Sequence, residues 1–426
     1  MLRVTPPGRL SRAVRTTFLS LRNRNFRLFF IGQAISNTGN WLTTVALTLL
    51  VLHLTHSGLA VGLVTACQFG PILLLSAWAG AIADRSNKRK LLLVTQSLEM
   101  AESIGLAVLA FLPHPPLAGL YALAIVGGTL LSFDNPLRRS FVTEMVPPED
   151  IPNAVVLYSI IVNISRIFGP ALAGLLVVTL GYGWCFSIDA TSYLVVIGCI
   201  VLMRHAELHR QARGPRAKGE VRAGLRYVAS VPVLWVPFAM FAVIGTLAYN
   251  FNVTLPLLVT DAFHRSATSF TVLYSVFSFG GLVCALIVAN RALIALRHII
   301  AGAVALGVAM LALAAVPGIW SAIPVVFFVG VSSILYLTGT TAIAQTEARP
   351  DMHGRVLALQ TVIRGGGALI GGPLLGWLAD SVGARAPVVI GGVACLAAAA
   401  FGALTTRRTG ARPGASHARH SSAPLP

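Results

Sequence analysis

Charge is what this sequence has least of. Of 426 residues, 32 are Lys or Arg and 14 are Asp or Glu, together 11%, where an ordinary soluble domain carries about 25%. With 56% apolar residues and a mean hydropathy of +0.78, there is too little polar side chain to cover the surface of a soluble fold. A disordered chain is excluded by the same hydrophobicity. Cysteine is scarce as well: Cys67, Cys185, Cys199, Cys284 and Cys395 stand far apart, which rules out a disulfide scaffold and the close spacing of a metal site. There is no Gly-x4-Gly-Lys-Ser/Thr phosphate loop and no His-Glu-x-x-His. The His53, His56 and His205, His209 pairs read as interfacial residues. No metal, no cofactor and no enzyme activity are expected. What remains is an all-α membrane protein.

The excess of 18 positive charges would suit nucleic acid if it were gathered on one polar face. Here it lies in short segments between long uncharged runs, so no nucleic-acid partner is expected. From Leu28 to Ala83 there is no Asp, Glu, Lys or Arg in 56 residues, more than twice the roughly 20 that one helix needs to cross a bilayer. The run must turn, and His53-Leu54-Thr55-His56-Ser57-Gly58 supplies the turn. A second uncharged run of 49 residues, His298 to Thr346, breaks between Pro317-Gly318 and Pro324. Charge-poor stretches near 91 to 111, 117 to 138, 153 to 180, 184 to 203, 232 to 260, 268 to 289, 355 to 379 and 386 to 406 bring the total to twelve spans.

An even number puts both termini on one side, and the basic residues indicate which. Segments on the terminal side hold 28 Lys and Arg, the other side only Arg265 and Arg385, so the positive-inside preference places the termini in the cytoplasm and the protein in the plasma or inner membrane. The chain divides into a basic segment 1–25, a six-helix bundle 26–203, a cytoplasmic linker 204–230, a second six-helix bundle 231–406 and a disordered tail 407–426. The first segment does not read as a cleaved signal sequence. Leu10, Val14, Phe18 and Leu21 repeat there at helical spacing between arginines, as in an amphipathic helix on an anionic surface.

The two bundles echo each other. Ala83-Asp84-Arg85 returns as Ala289-Asn290-Arg291, Gly169-Pro170 with Gly174 returns as Gly372-Pro373 with Gly376, and Pro148-Glu149-Asp150 returns as Pro350-Asp351, all at nearly one offset, 201 to 206 residues. This predicts two pseudo-symmetric halves. Gly80-Ala81-Ile82-Ala83-Asp84-Arg85-Ser86-Asn87-Lys88-Arg89-Lys90 resembles the signature between helices 2 and 3 of the major facilitator superfamily. Asp134-Asn135-Pro136-Leu137-Arg138, the stretch from Asn153 to Gly174, and His353-Gly354-Arg355-Val356 are similar to its branch of enterobactin exporters and multidrug efflux relatives. The resemblance implies that Gly80, Asp84, Arg85, Lys88 and Arg89 brace helix 2 against helix 11 and serve conformational change, the bland alternative being simple cytoplasmic charge. It likens the helix 5 Gly-Pro to the antiporter motif of drug exporters. Residues 118 to 133 lack the Arg that such exporters often carry in helix 4.

Polar stripes mark candidate cavity residues, because a polar face in a bilayer must look into protein or water. Gln33, Asn37, Asn40, Trp41, Thr44 and Thr48 recur at helical spacing on helix 1, Thr246, Tyr249, Asn250 and Thr254 on helix 7, and Ser333, Tyr336 and Thr340 on helix 10. Neutral groups with aromatic neighbours suit a large, mostly apolar solute with scattered hydrogen-bonding groups; the alternative is that they only bond neighbouring helices. Ionisable groups at membrane depth are costly, which singles out Arg166 and Arg364 on equivalent helices, with Glu99, Glu102, Asp134 and Asp189 as candidate counter-charges and coupling groups. Glu99 and Glu102 are expected nearest mid-bilayer and paired with Arg166, either for coupling or as structure. Asp134 and Arg138 read as an i, i+4 pair at the membrane face. Gly169, Pro170, Gly174, Gly372, Pro373 and Gly376, together with Gly365 to Gly367, read as close-packing or hinge positions.

The function expected is a secondary active transporter exporting a small amphiphilic compound, such as a drug, secondary metabolite or siderophore, in exchange for protons by alternating access. A lipid or lysolipid flippase of the same fold is the alternative. A non-transporting sensor or scaffold would need a soluble domain that the short linker does not provide. The lipid bilayer and a small-molecule substrate are the expected partners, and a monomer is expected although nothing in the sequence fixes the oligomeric state.

Overall fold

The computed structural model describes residues 19–209, 220–288, 296–349 and 352–409. Among the described residues the chain is helical and without strands, and twelve helices are long and apolar enough to cross a membrane. In order they are α1 (Arg24–Thr55), α2 (Gly58–Arg85), α3 (Lys88–Ala110), α4 (Leu117–Val142), α5 (Ile151–Thr179), α6 (Tyr182–Val201), α7 (Pro232–Leu247 continued by Phe251–Leu257), α8 (Ala267–Val288), α9 (Leu296–Ala315), α10 (Ile319–Thr346), α11 (His353–Val382) and α12 (Ala386–Thr409). At 1.5 Å rise, the 32 residues of α1 exceed the hydrocarbon thickness of about 30 Å. The start of α1 and the end of α12 share one face, called here the near face; the α1–α2 turn lies on the opposite, far face.

Short turns reverse the helices, and local chemistry sets them. His56 closes α1 in the left-handed region (φ 48°), and Ser57 caps α2 by accepting from the Ala60 N–H at 3.4 Å. Gly181 (φ 91°) and Gly383 (φ 121°) turn α5 into α6 and α11 into α12, conformations that glycine adopts without a Cβ penalty. Within the first half, α1 packs on α5 and α6, α3 on α4 and α6, and α2 on α4. Within the second, α8 packs on α10, α9 on α10 and α12, and α7 on α11 and α12.

Two elements depart from the expectations above. Span 7 is not continuous: it breaks at Ala248 to Asn250, and the Asn250 side chain donates to the Thr246 carbonyl at 2.8 Å while its own carbonyl accepts from Val253 and Thr254 N–H. Asn250 thus satisfies backbone groups that the break frees. The linker contains a helix, Glu220–Ser230. The amphipathic pattern from Leu10 to Phe18, linker residues 210–219, the Asn290-Arg291 echo, Pro350-Asp351 and the tail from 410 lie outside the described residues.

Candidate functional site

The two halves meet along two antiparallel seams on the far-face side. In the first, α2 lies against α11 at contact distance because both helices are stripped of side chains there. A Cβ on Gly58 would strike the Gly376 carbonyl, one on Gly62 the Gly372 carbonyl and Pro373, and one on Gly376 the Gly58 carbonyl. The seam runs on to Leu73 beside Gly365. In the second, α5 lies against α8, with Gly174 facing Thr271 and, a few turns closer to the near face, Asn163 and Arg166 facing Phe277, Ser278 and Gly281. Gly169 lets α5 close on Trp41 and Thr38 of α1.

A carboxylate locks the first seam at its outer end. Asp380, in the last turn of α11, accepts hydrogen bonds from Ser57 Oγ at 2.7 Å, Gly58 N at 2.6 Å and Leu59 N at 3.0 Å. These are the free N–H groups at the start of α2, where the helix dipole also favours an anion. A residue of one half therefore caps a helix of the other. Asp380 carries no periodic signal in the sequence, and its position one turn before Gly383 reads as a loop-side polar residue.

Toward the near face, Ser159 and Asn163 on α5 and Thr361 and Arg364 on α11 are exposed, with apolar Val155, Val156, Ile160 and Ile164 exposed on the same stretch of α5. Arg166 and Arg364 stand in this region on α5 and α11, one in each half. Arg166 sits 5.7 Å from the centroid of the Trp41 ring and within hydrogen-bonding reach of the Tyr274 hydroxyl, while its Nε has no partner. Arg364 lies within electrostatic reach of Arg166, Arg139 and Tyr249. Neither arginine forms an ion pair with a described residue. On insertion scales each such group costs roughly 2.5–3.5 kcal/mol at mid-membrane.

The expected partnership of Arg166 with Glu99 or Glu102 is absent, because Glu99 belongs to a cluster on Arg138. Arg138 Nη2 donates to Glu99 Oε2 at 3.3 Å, its Nε pairs with Asp134, and its Nη1 donates to Asn37 at 3.4 Å. Gln96 bridges the two carboxylates at 2.8 and 2.9 Å. Arg138 and Asp134 are 2% and 0% exposed, so the i, i+4 pair lies inside the first half and not at the membrane face. Glu102 lies against Gly127 of α4. Asp189 accepts from Thr43 at 2.7 Å, Ser103 at 2.8 Å and Ser192 at 3.4 Å, which fixes α6 to α1 and α3.

The polar stripe of helix 1 divides between these two environments. Gln33 and Asn37 turn into the first half, where Asn37 joins the Arg138 cluster and donates to Gln33 at 2.8 and 3.2 Å; Asn40 accepts from Tyr193 at 3.1 Å. Trp41 turns toward Arg166, and Thr44 donates to its own helix at Asn40. In the second half, Tyr249 donates to the Ser333 carbonyl, and its ring stands 6.3 Å from that of Tyr336 and 6.2 Å from that of Phe241. Ser333 and Tyr336 are buried, so these residues fasten α7 to α10. The α7 break beside them, with Thr246 and Asn250, lies flush against Gly371, where a side chain would collide with both.

At the near face, Lys88 pairs with Glu144 at 2.7 Å and Arg89 donates to the last carbonyls of α6, Ile200 at 3.1 Å and Val201 at 2.9 Å. Both tie the first half together. The side chains of Asp84 and Arg85 lie outside the described ones. No group of three or more His, Cys, Asp or Glu capable of holding a metal occurs among the described residues.

Comparison with known proteins agrees with this architecture. Residues 15–425 match the family model described as transmembrane secretion effector. The chain is 26% identical over 359 residues to the enterobactin exporter of Shigella boydii, covering 83% of this chain and 85% of that protein. It is 26% identical over 262 residues to the staphyloferrin A transporter of Staphylococcus aureus, covering 61% of this chain and 66% of the other. Among solved structures, a bacterial homologue of the human lysosomal transporter Spinster in an inward-facing, unoccupied conformation superposes with TM-score 0.73 at 16% identity, over 90% of this chain and 96% of that one. The POT family transporter PepTSo superposes with TM-score 0.75 at 13% identity, over 91% and 98%.

Proposed function

The chain belongs to the transmembrane secretion effector family of major facilitator transporters, and from that premise we propose that it exports a small amphiphilic compound of the siderophore or secondary-metabolite kind by alternating access. The observation that carries the reading is the asymmetry of the interface between the halves. They are closed on each other along α2–α11 and α5–α8 near the far face, and toward the near face Ser159, Asn163, Thr361 and Arg364 are exposed on the same helices. The excess of basic residues on the terminal side supports termini in the cytoplasm, and in that orientation the near face looks into the cell interior, ready to load an exported solute. Relatives that move enterobactin and staphyloferrin A support a siderophore-like cargo.

Proton exchange fits the Arg138 cluster. One guanidinium serves two carboxylates, Glu99 and Asp134, which Gln96 also bridges, so a proton is the missing counter-charge in a site where an unpaired ion is costly. Glu102 stands one turn along α3 from Glu99, and Asp189 of α6 accepts from Ser103 of α3, so both are candidates for handing it on.

Proteoliposomes with an imposed pH gradient test both parts. Movement of enterobactin, staphyloferrin A or a dye above that in empty liposomes is expected, with loss of the gradient dependence in Glu99→Gln or Glu102→Gln. No movement of any solute, with labelled lipid crossing instead, would replace the exporter by a flippase.

A further inference from the structure

Arg138 shows how this protein treats an arginine that is paired where it stands: two carboxylates and an amide surround it. Arg166 and Arg364 receive the opposite treatment. They stand on α5 and α11, one in each half, close enough to repel each other, with aromatic rings and hydroxyls of Trp41, Tyr249 and Tyr274 about them and no ion pair to a described carboxylate. Arg139, at the near-face end of α4, adds a third positive charge to the field felt at Arg364. Mutual repulsion of two neighbouring cations is unfavourable unless something negative comes between them. The guanidinium fork matches an oxyanion in a bidentate way, and the surrounding rings suit an apolar or aromatic body.

We infer that the cavity between the halves is an anion site, in which Arg166 and Arg364 together grip the carboxylate or other oxyanion of an aromatic amphiphile. The inference rests on the exporter reading and narrows its cargo from neutral amphiphiles to acidic ones. It also gives the pair a role in the cycle: an anion shared by α5 and α11 draws the halves together on the near face, which an empty, mutually repelling pair holds apart. An exported anion would moreover leave an inside-negative cell down the electrical gradient.

Three fluorescent probes of nearly the same size test the inference with the intact purified protein: dansylglycine, an anion, its neutral amide, and dansylcadaverine, a cation. Wild-type protein is expected to bind the anion about tenfold or more tighter than the amide, the ratio a charge-assisted bond supplies, and to bind the cation most weakly. Arg166→Gln and Arg364→Gln should each bring anion and amide to within about twofold, whereas Arg364→Lys should keep part of the preference. Thermal unfolding of the wild type needs no variant: the anion should raise the midpoint and the amide should not. Equal binding of anion and amide by the wild type, a preference for the cation, or a preference untouched in folded Gln variants would overturn the inference. Efflux of the same probes from proteoliposomes separates it from its premise. A neutral or cationic probe that moves while the anion does not leaves the exporter reading standing and removes this one.

Discussion

Arg138 and the pair Arg166 and Arg364 occupy the same membrane-embedded interior under opposite rules. The first is walled in by Glu99, Asp134, Gln96 and Asn37 on α1, α3 and α4, and its burial is nearly complete. The other two stand on α5 and α11 beside Trp41, Tyr249 and Tyr274, with no ion pair to a described carboxylate. A charge that holds a bundle together is neutralised where it stands, whereas a charge that waits for a mobile partner is left bare. The cost of the bare pair is tolerable because the opening admits water.

The largest effect that would break this contrast falls on Arg138. Arg138→Met leaves Glu99 and Asp134 buried without a cation, a loss of roughly 3–5 kcal/mol, seen as loss of monodisperse protein after solubilisation. The triple replacement Glu99→Gln, Asp134→Asn and Arg138→Gln should recover most of it. If Arg138→Met is as stable as the wild type, the cluster is not the structural element described here. Arg364→Gln is expected to do the reverse: unfolding midpoints stay the same or rise, while solute efflux in proteoliposomes falls about tenfold or more, the worth of one charge-assisted bond.

A third prediction compares the two faces. Asp380→Ala removes the acceptor of three hydrogen bonds between α11 and α2, about 1–3 kcal/mol of far-face closure. Thiol labelling of Leu59→Cys should then speed up by a factor of roughly 5 to 100, and an unchanged rate would mean that the cap contributes nothing to closure. The smallest effect is expected from Tyr274→Phe, which takes one hydroxyl from Arg166 and should weaken solute binding by about 0.5–1.5 kcal/mol with no change in labelling at Leu59.

Much of the fold is legible in the residues themselves. Uncharged runs of 56 and 49 residues, with eight further charge-poor stretches, give the count of spans, and the glycines at 169, 174, 372 and 376 stand where helices touch. Periodicity finds the polar stripe of helix 1 but not its neighbour, so Gln33 and Asn37 read like Trp41 although they turn into the first half. Spacing alone makes Asp134 and Arg138 a surface pair. Only the approach of α3, which brings Glu99 and Gln96, makes it the centre of a buried network. The break in α7 is hidden because Tyr249 and Asn250 satisfy the helical stripe equally well, and what allows the break is a glycine 121 residues later, Gly371. Asp380 acts on a helix more than 300 positions away, beyond the reach of any local pattern.

Alternating access is the claim on which the rest depends, and paired spin-label distances test it most directly. One pair at Leu59 and Val382 reports the far face, and another at exposed Asn87 and Thr346 reports the near face. The account predicts a short far-face and a long near-face distance in the resting protein, with Asp380→Ala or a transported solute lengthening the first and shortening the second together. Distances that stay fixed at both faces under both perturbations, or that change at one face alone, would contradict it.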